Sequence, residues 1–152
     1  PRPPPPPARV AAEPPPRHAA PAWTHPRRAP EAGPAGAPAA TLDGAAALHH
    51  PPLARALEHA GLAGRYDVVL PRTGDELRAW GRLLDNCLGS FAAAVASGTT
   101  IVAGVREQGL LVAALEVRDG RLVQLLAARN RPPERPLTDA VVPHVVGRLR
   151  SA

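Results

Sequence analysis

Three runs rich in Val, Ile and Leu follow one another near the middle of this chain: Thr99 to Arg106, Leu110 to Arg118 and Arg121 to Ala128. Gln108-Gly109 and Asp119-Gly120 separate them. Glycine at such a gap supplies the backbone conformation that a tight hairpin needs. The pattern predicts a three-stranded antiparallel meander. Any fold for this chain must build and cover that sheet.

The register of the second hairpin has two solutions. A two-residue Asp119-Gly120 turn pairs Arg118 with Arg121 and sets Glu116 and Gln124 on opposite faces. A three-residue loop, Arg118-Asp119-Gly120 with a left-handed glycine bulge, pairs Val117 with Arg121. It avoids opposing two like charges and puts Glu116 and Gln124 on one face. The second is favoured.

The covering segments are helical. Thr73-Gly-Asp-Glu76 is a capping box, in which the Thr hydroxyl accepts a free amide and the Glu reaches back. Behind it, Leu77, Trp80, Leu84, Cys87 or Leu88, Phe91 and Val95 recur at spacings of three and four, an apolar stripe of helical period. Gly81 and Gly89 interrupt the stripe. Two pieces are expected, Asp75 to Asn86 and Leu88 to Ser97, broken near Gly89 and stopped at Gly98. Pro52 to Ala60 predicts a short helix ended by Gly61. Tyr66 to Leu70 predicts a short strand. The loop Arg129 to Pro136 carries three prolines, and Leu137 to Leu149 predicts a last helix disturbed at Pro143.

Composition divides the chain. Of its 21 prolines, 14 fall in residues 1–40. That arm has too few apolar side chains to offset the cost of ordering, so it is expected to be a disordered Pro/Ala/Arg-rich linker. Arg2 with the run Pro3 to Pro7 would suit a proline-recognising protein partner, although such runs also serve as plain spacers. Trp23 stands alone there. The chain opens at Pro1, not methionine, and is read as a piece of something longer. Residues 41–152 have the length of one small domain. The expected fold class is α+β: the three-stranded meander covered on one face by helices.

Charge argues for no single partner class. The net charge is +5. The arm carries +3 of it and residues 41–152 only +2. Arg129, Arg131, Arg135, Arg148 and Arg150 do crowd the C-terminal part against Glu134 and Asp139, a patch that could meet the phosphates of nucleic acid. Against this, Tyr66, Trp80 and Phe91 are the domain's aromatics, and the last two belong to the apolar stripe, which leaves little for base stacking. The lone cysteine cannot form an internal disulfide. No apolar run approaches a membrane span of about 18 residues. A soluble cytoplasmic location is the default. His49, His50 and His59 lack zinc-site spacing, no CxxC pair exists, and no phosphate-cradling glycine loop appears, so neither metal nor cofactor is expected.

From Pro71 onward the ordered set Gly81, Leu84, Cys87, Gly89, Phe91, Gly98, Glu116, Gln124, Asn130, Arg131 and Pro132 resembles the PcfJ-like proteins, a family named for a protein of a conjugative plasmid operon. The set covers about half the chain. The family's histidine before the cysteine is Asn86 here, and its usual tyrosine is Phe91. The resemblance implies a bacterial protein linked to conjugation and mobile genetic elements. It supplies no established activity.

Two groups are candidates for chemistry. Cys87 is the natural nucleophile, and a helix beginning just after it would lower its thiol pKa. A cysteine enzyme also needs a base, usually histidine. Asn86 cannot serve, which leaves His144 or His59 to arrive through folding. The plainer expectation is a small buried residue of the stripe. Glu116, Gln124, Asn130 and Arg131 form the second group. Glu116 and Gln124 interrupt apolar strands, and burying either unpartnered costs about 1–3 kcal/mol. Together they predict a polar pocket gripping a ligand, with Arg131 as its charged contact, or else a solvated sheet face. The functional reading is a binding or accessory module that contacts nucleic acid. The alternative is a cysteine-dependent enzyme, degenerate for want of its histidine.

Overall fold

The computed structural model describes residues 44–152. The arm, with Arg2, Pro3 to Pro7 and Trp23, lies outside the described residues. The expected meander is present as β3 (Ile101–Glu107), β4 (Leu110–Arg118) and β5 (Arg121–Ala127). It is not the whole sheet. Two further strands, β1 (His59–Leu62) and β2 (Tyr66–Val69), extend it to five antiparallel strands in the order β1-β2-β3-β4-β5.

The strand at Tyr66 matches expectation, whereas β1 replaces the end of an expected helix. Helix α1 covers only Pro52–Leu57. Glu58 turns extended, with φ −60° and ψ 135°. His59-Ala-Gly-Leu62 has little intrinsic preference for a strand. Backbone pairing to β2 makes it one, helped by the Gly61 amide, which donates to Asp67 Oδ1 at 2.8 Å.

Helices cover both faces of the sheet, not one. Ile101 through Val105 are all buried. A strand buried on both sides reads as a continuous apolar run instead of an alternation. Ile101, Ala103 and Val105 pack with α1 and with α4 (Arg135–Arg150) through Leu57, Leu137, Val141 and Val145. Val102, one residue out of phase, packs on the opposite face with Leu77 and Trp80 of α2 (Gly74–Leu83).

The capping box forms. The Glu76 amide donates to Thr73 Oγ1 at 3.1 Å, and Glu76 Oε2 accepts from the amide of Arg72 at 2.7 Å. Helix α2 ends at Leu83, earlier than expected. The chain then turns through Asp85, at φ 50°, into a 3₁₀ turn at Leu88–Phe91 and helix α3 (Ala92–Ala96). The glycines explain the break. A Cβ on Gly81 would stand 3.0 Å from the Gly89 nitrogen. Backbone is thus packed on backbone, which only hydrogen in place of a side chain allows. At the other end of the domain, α4 starts two residues early because Pro136 suits a first turn. It continues through Pro143, whose missing amide costs one hydrogen bond and does not end the helix.

The second hairpin does not form the favoured three-residue loop, and Val117 does not pair with Arg121. Asp119 (φ 50°) and Gly120 (φ 69°) form a two-residue turn, so Arg118 does face Arg121. The extra residue sits further along β5. Val117 pairs with Leu122 but Glu116 pairs with Gln124, leaving Val123 as a bulge. Glu116 and Gln124 therefore share a face, as expected, through a bulge placed elsewhere. The repulsion expected between the arginines is relieved because Arg118 turns to Glu116.

Candidate functional site

Glu116 sits in the middle of β4 with Val102 of β3 on one side and Gln124 of β5 on the other. It is 4 % exposed. A carboxylate there needs donors. Gln124 Nε2 donates to its Oε2 at 2.8 Å, and Arg118 Nη2 donates to its Oε1. Two of about four acceptor positions are thereby filled. A bulged strand, not a regular one, brings the Gln124 amide onto this face.

Above the pair lies a pocket of about 20 Å³, room for little more than one water. Its polar lining is Glu116, Gln124, Asn86, Asn130 and Cys87; Phe91, Val102 and Leu126 supply apolar walls. Three of the four residues expected to cluster do so, and Cys87 joins them. Arg131 does not line this pocket. Its backbone closes the loop after β5, its carbonyl accepting from Ala127 N at 2.8 Å and its amide donating to Ala128 O at 3.3 Å.

Cys87 is exposed, so it is not the buried residue of the apolar stripe. Leu88 takes that place. Cys87 precedes the 3₁₀ turn, and its carbonyl accepts from Ser90 N at 2.9 Å and Ser90 Oγ at 2.7 Å. Asn86 accepts from the Leu88 amide through Oδ1 at 3.1 Å and so shapes the turn that presents the thiol. No histidine lines the pocket. His144 lies on the opposite face of the sheet, its Nε2 3.1 Å from Leu57 O and its ring 4.9 Å from that of His59. Neither histidine reaches Cys87.

The rim is backbone under strain. Asp85, Arg129 and Asn130 all have positive φ, at 50°, 58° and 56°. Asn tolerates this region, and a long side chain such as Arg does so rarely. Two contacts hold the rim: Arg129 N donates to Leu84 O at 2.7 Å, and Arg129 Nε pairs with Asp85 at 3.3 Å. Strain of this kind, of order 1–3 kcal/mol per residue, persists where the surrounding structure over-determines it, and it concentrates at ligand sites.

The five C-terminal arginines do not form one patch. Helix α4 separates Arg135 from Arg150 by roughly 22 Å at 1.5 Å per residue. Arg135 is engaged by Asp139 at 3.4 Å. The sequence also left residues unmarked that the fold brings to the site: Asn86 as a lining group, and Arg78, Arg82, Asp85 and Ser90, which border an adjoining groove. A signal for the arginines was present, since Arg78 and Arg82 stand one turn apart off the apolar stripe of α2.

The family model for PcfJ-like protein matches residues 45–142, more than half of the chain. This chain belongs to the PcfJ-like family. The match spans the five-stranded sheet, the pocket and the first half of α4. No match was found among curated proteins or among solved structures. In this PcfJ-like domain no helix of the described residues is long and apolar enough to cross a membrane. Among the same residues no three His, Cys, Asp or Glu side chains gather as metal ligands.

Proposed function

We propose that this PcfJ-like domain is a binding or accessory module of a cytoplasmic, mobile-element-associated bacterial protein, and that the Glu116 pocket is its ligand site. The observation that carries the reading is Glu116 itself. It is a buried carboxylate, held by Gln124 and Arg118 and lining a pocket it shares with Cys87, Asn86 and Asn130. A carboxylate placed only for stability is a poor investment, because apolar residues of similar volume do as well or better. With acceptor capacity left over, Glu116 suits a single N–H donor the size of the one water its pocket admits, such as an exocyclic amino group of a nucleobase. The exposed arginines at the end of β5, Arg129 and Arg131, suit the accompanying phosphates. The proline-rich arm, through Arg2 and Pro3 to Pro7, is a contact for a separate protein partner.

The test is binding of a labelled single-stranded oligonucleotide, read by fluorescence anisotropy at two salt concentrations. Glu116→Gln and Arg129→Ala plus Arg131→Ala should each weaken binding, and the arginine pair should flatten the salt dependence. Retention of full affinity by both variants would remove this reading.

One observation favours a second reading, a cysteine-dependent reaction: the Cys87 thiol is exposed at the pocket. That reading needs a base other than histidine. Alkylation of Cys87 across pH distinguishes the two, since a catalytic thiol would titrate well below the ordinary value of about 8.5.

A further inference from the structure

A groove of about 350 Å³ adjoins the Glu116 pocket, and Asn86 and Cys87 line both. Its other borders are Arg78, Arg82, Asp85 and Ser90, with Gly81 and Gly89 between them. The two glycines leave the groove without side chains at its base, for the packing reason already given. Arg78 and Arg82 lie one turn apart on the same side of α2. Like charges at that spacing destabilise a bare helix. Arg78 is answered by Asp75 at 2.5 Å, but Arg82 makes no ion pair among the described residues. Asp85, the acid of the groove, is already engaged by Arg129. Ser90 also lines the groove, its hydroxyl donating to Cys87 O at 2.7 Å. Two guanidinium forks on one side of a groove are the donor set that recognises a phosphate.

We infer that the Arg78–Arg82 groove is an anion subsite seating a phosphate group of the same ligand whose amino group reaches the Glu116 pocket. The inference rests on the reading of that pocket as a binding site. It places the thiol of Cys87 at the junction between the two halves. A nucleotide or a nucleic-acid strand carries both parts, a phosphate and a base edge, and the sources are separable by experiment.

Cys87 is the one cysteine of the chain, so its alkylation reports the junction without ambiguity. The measurement is the rate ratio for anionic iodoacetate over neutral iodoacetamide, on the full chain at low salt. Arg78→Gln plus Arg82→Gln keeps the side-chain stems and removes the charges. It should lower the ratio by about threefold or more, while Arg148→Gln plus Arg150→Gln leaves it unchanged. The same groove pair should weaken binding of a single-stranded oligonucleotide and reduce its salt slope by about 0.7, the value for one phosphate. Inorganic phosphate, a mononucleotide and the oligonucleotide are then compared as protectants of Cys87. Protection by the first alone identifies a free anion, and protection rising to the last identifies a strand. An unchanged rate ratio in the groove variant, or no protection by any of the three, overturns the subsite. Glu116→Gln separates the two ideas: if it binds normally while the groove variant does not, the pocket reading falls and the anion subsite stands.

Discussion

The two faces of the sheet use the same strands to different ends. Among the described residues, the face under α1 and α4 buries a cluster of fourteen hydrophobic side chains, the Tyr66 ring among them. The face under α2 and α3 buries eight, centred on Trp80, and ends at Glu116. One face is closed. The other carries the bulge, the helix break, three left-handed residues and the pocket. In one residue of offset along β4 the chain passes from Leu115, facing the closed core, to Glu116, facing the site. The comparison teaches that stability is concentrated on one side so that the other can keep polar groups and strained turns.

The largest test of that division is Leu115→Ala on the closed face. Leu115 is 1 % exposed. Its truncation should cost about 2–5 kcal/mol in denaturant unfolding, the range for a large-to-small change in a packed core. A cost under about 1 kcal/mol would show that this face is not the main source of stability.

Gly104→Ala comes next and probes how tightly the open face is packed. A Cβ at Gly104 would lie 2.7 Å from Leu111 Cδ1 and 2.9 Å from Trp80 Cζ3. Leu111 can move aside and the indole ring cannot easily do so. Overpacking of this kind should cost about 1–3 kcal/mol and alter Trp80 fluorescence.

Replacing the polar pair should cost little. Glu116→Leu with Gln124→Leu removes a buried carboxylate together with its amide donor. Stability should stay level or rise by about 1 kcal/mol, because desolvation of the charge no longer opposes folding. Binding of the oligonucleotide should be lost. A fall in stability of several kcal/mol would make the pair a structural device and erase the contrast between the faces.

The smallest change is expected for Arg129→Gly on the rim. Relief of the left-handed strain is offset by the lost exposed pair with Asp85 and by greater freedom of the unfolded chain. The net shift should lie within about 0.5 kcal/mol by thermal unfolding. Loss of more than about 1 kcal/mol would mean that the rim, too, is built for stability.

Much of the architecture was legible locally. The Thr73 cap, the stripe of Leu77, Trp80 and Leu84, and the three apolar runs with their glycine turns each act within a few residues, so the sequence announces them. That Glu116 and Gln124 share a face was expected from a three-residue loop, whereas the structure reaches it through a two-residue turn and a bulge at Val123. The second covering face was hidden in plain view. Five consecutive buried residues from Ile101 to Val105 record burial on both sides, yet an apolar run does not say which helices do the covering. Strand β1 left no trace, since His59-Ala-Gly-Leu62 becomes a strand only by pairing with β2.

For the site the division is similar. Side-chain chemistry nominated Cys87, Glu116, Gln124 and Asn130 before any fold was known. Only tertiary structure could decide that Arg131 stays out of the pocket lining while Asn86 joins it, that His59 and His144 lie on the far face, and that Arg78 and Arg82 share a groove with Cys87. The physical reason is range. Caps, stripes and turns are settled by neighbours within a helical turn or a hairpin. Which side chains meet across the sheet depends on a bulge at Val123 and on a backbone contact between Gly81 and Gly89. Each of these shifts side chains by a whole face for a difference of one residue, and no local pattern encodes it.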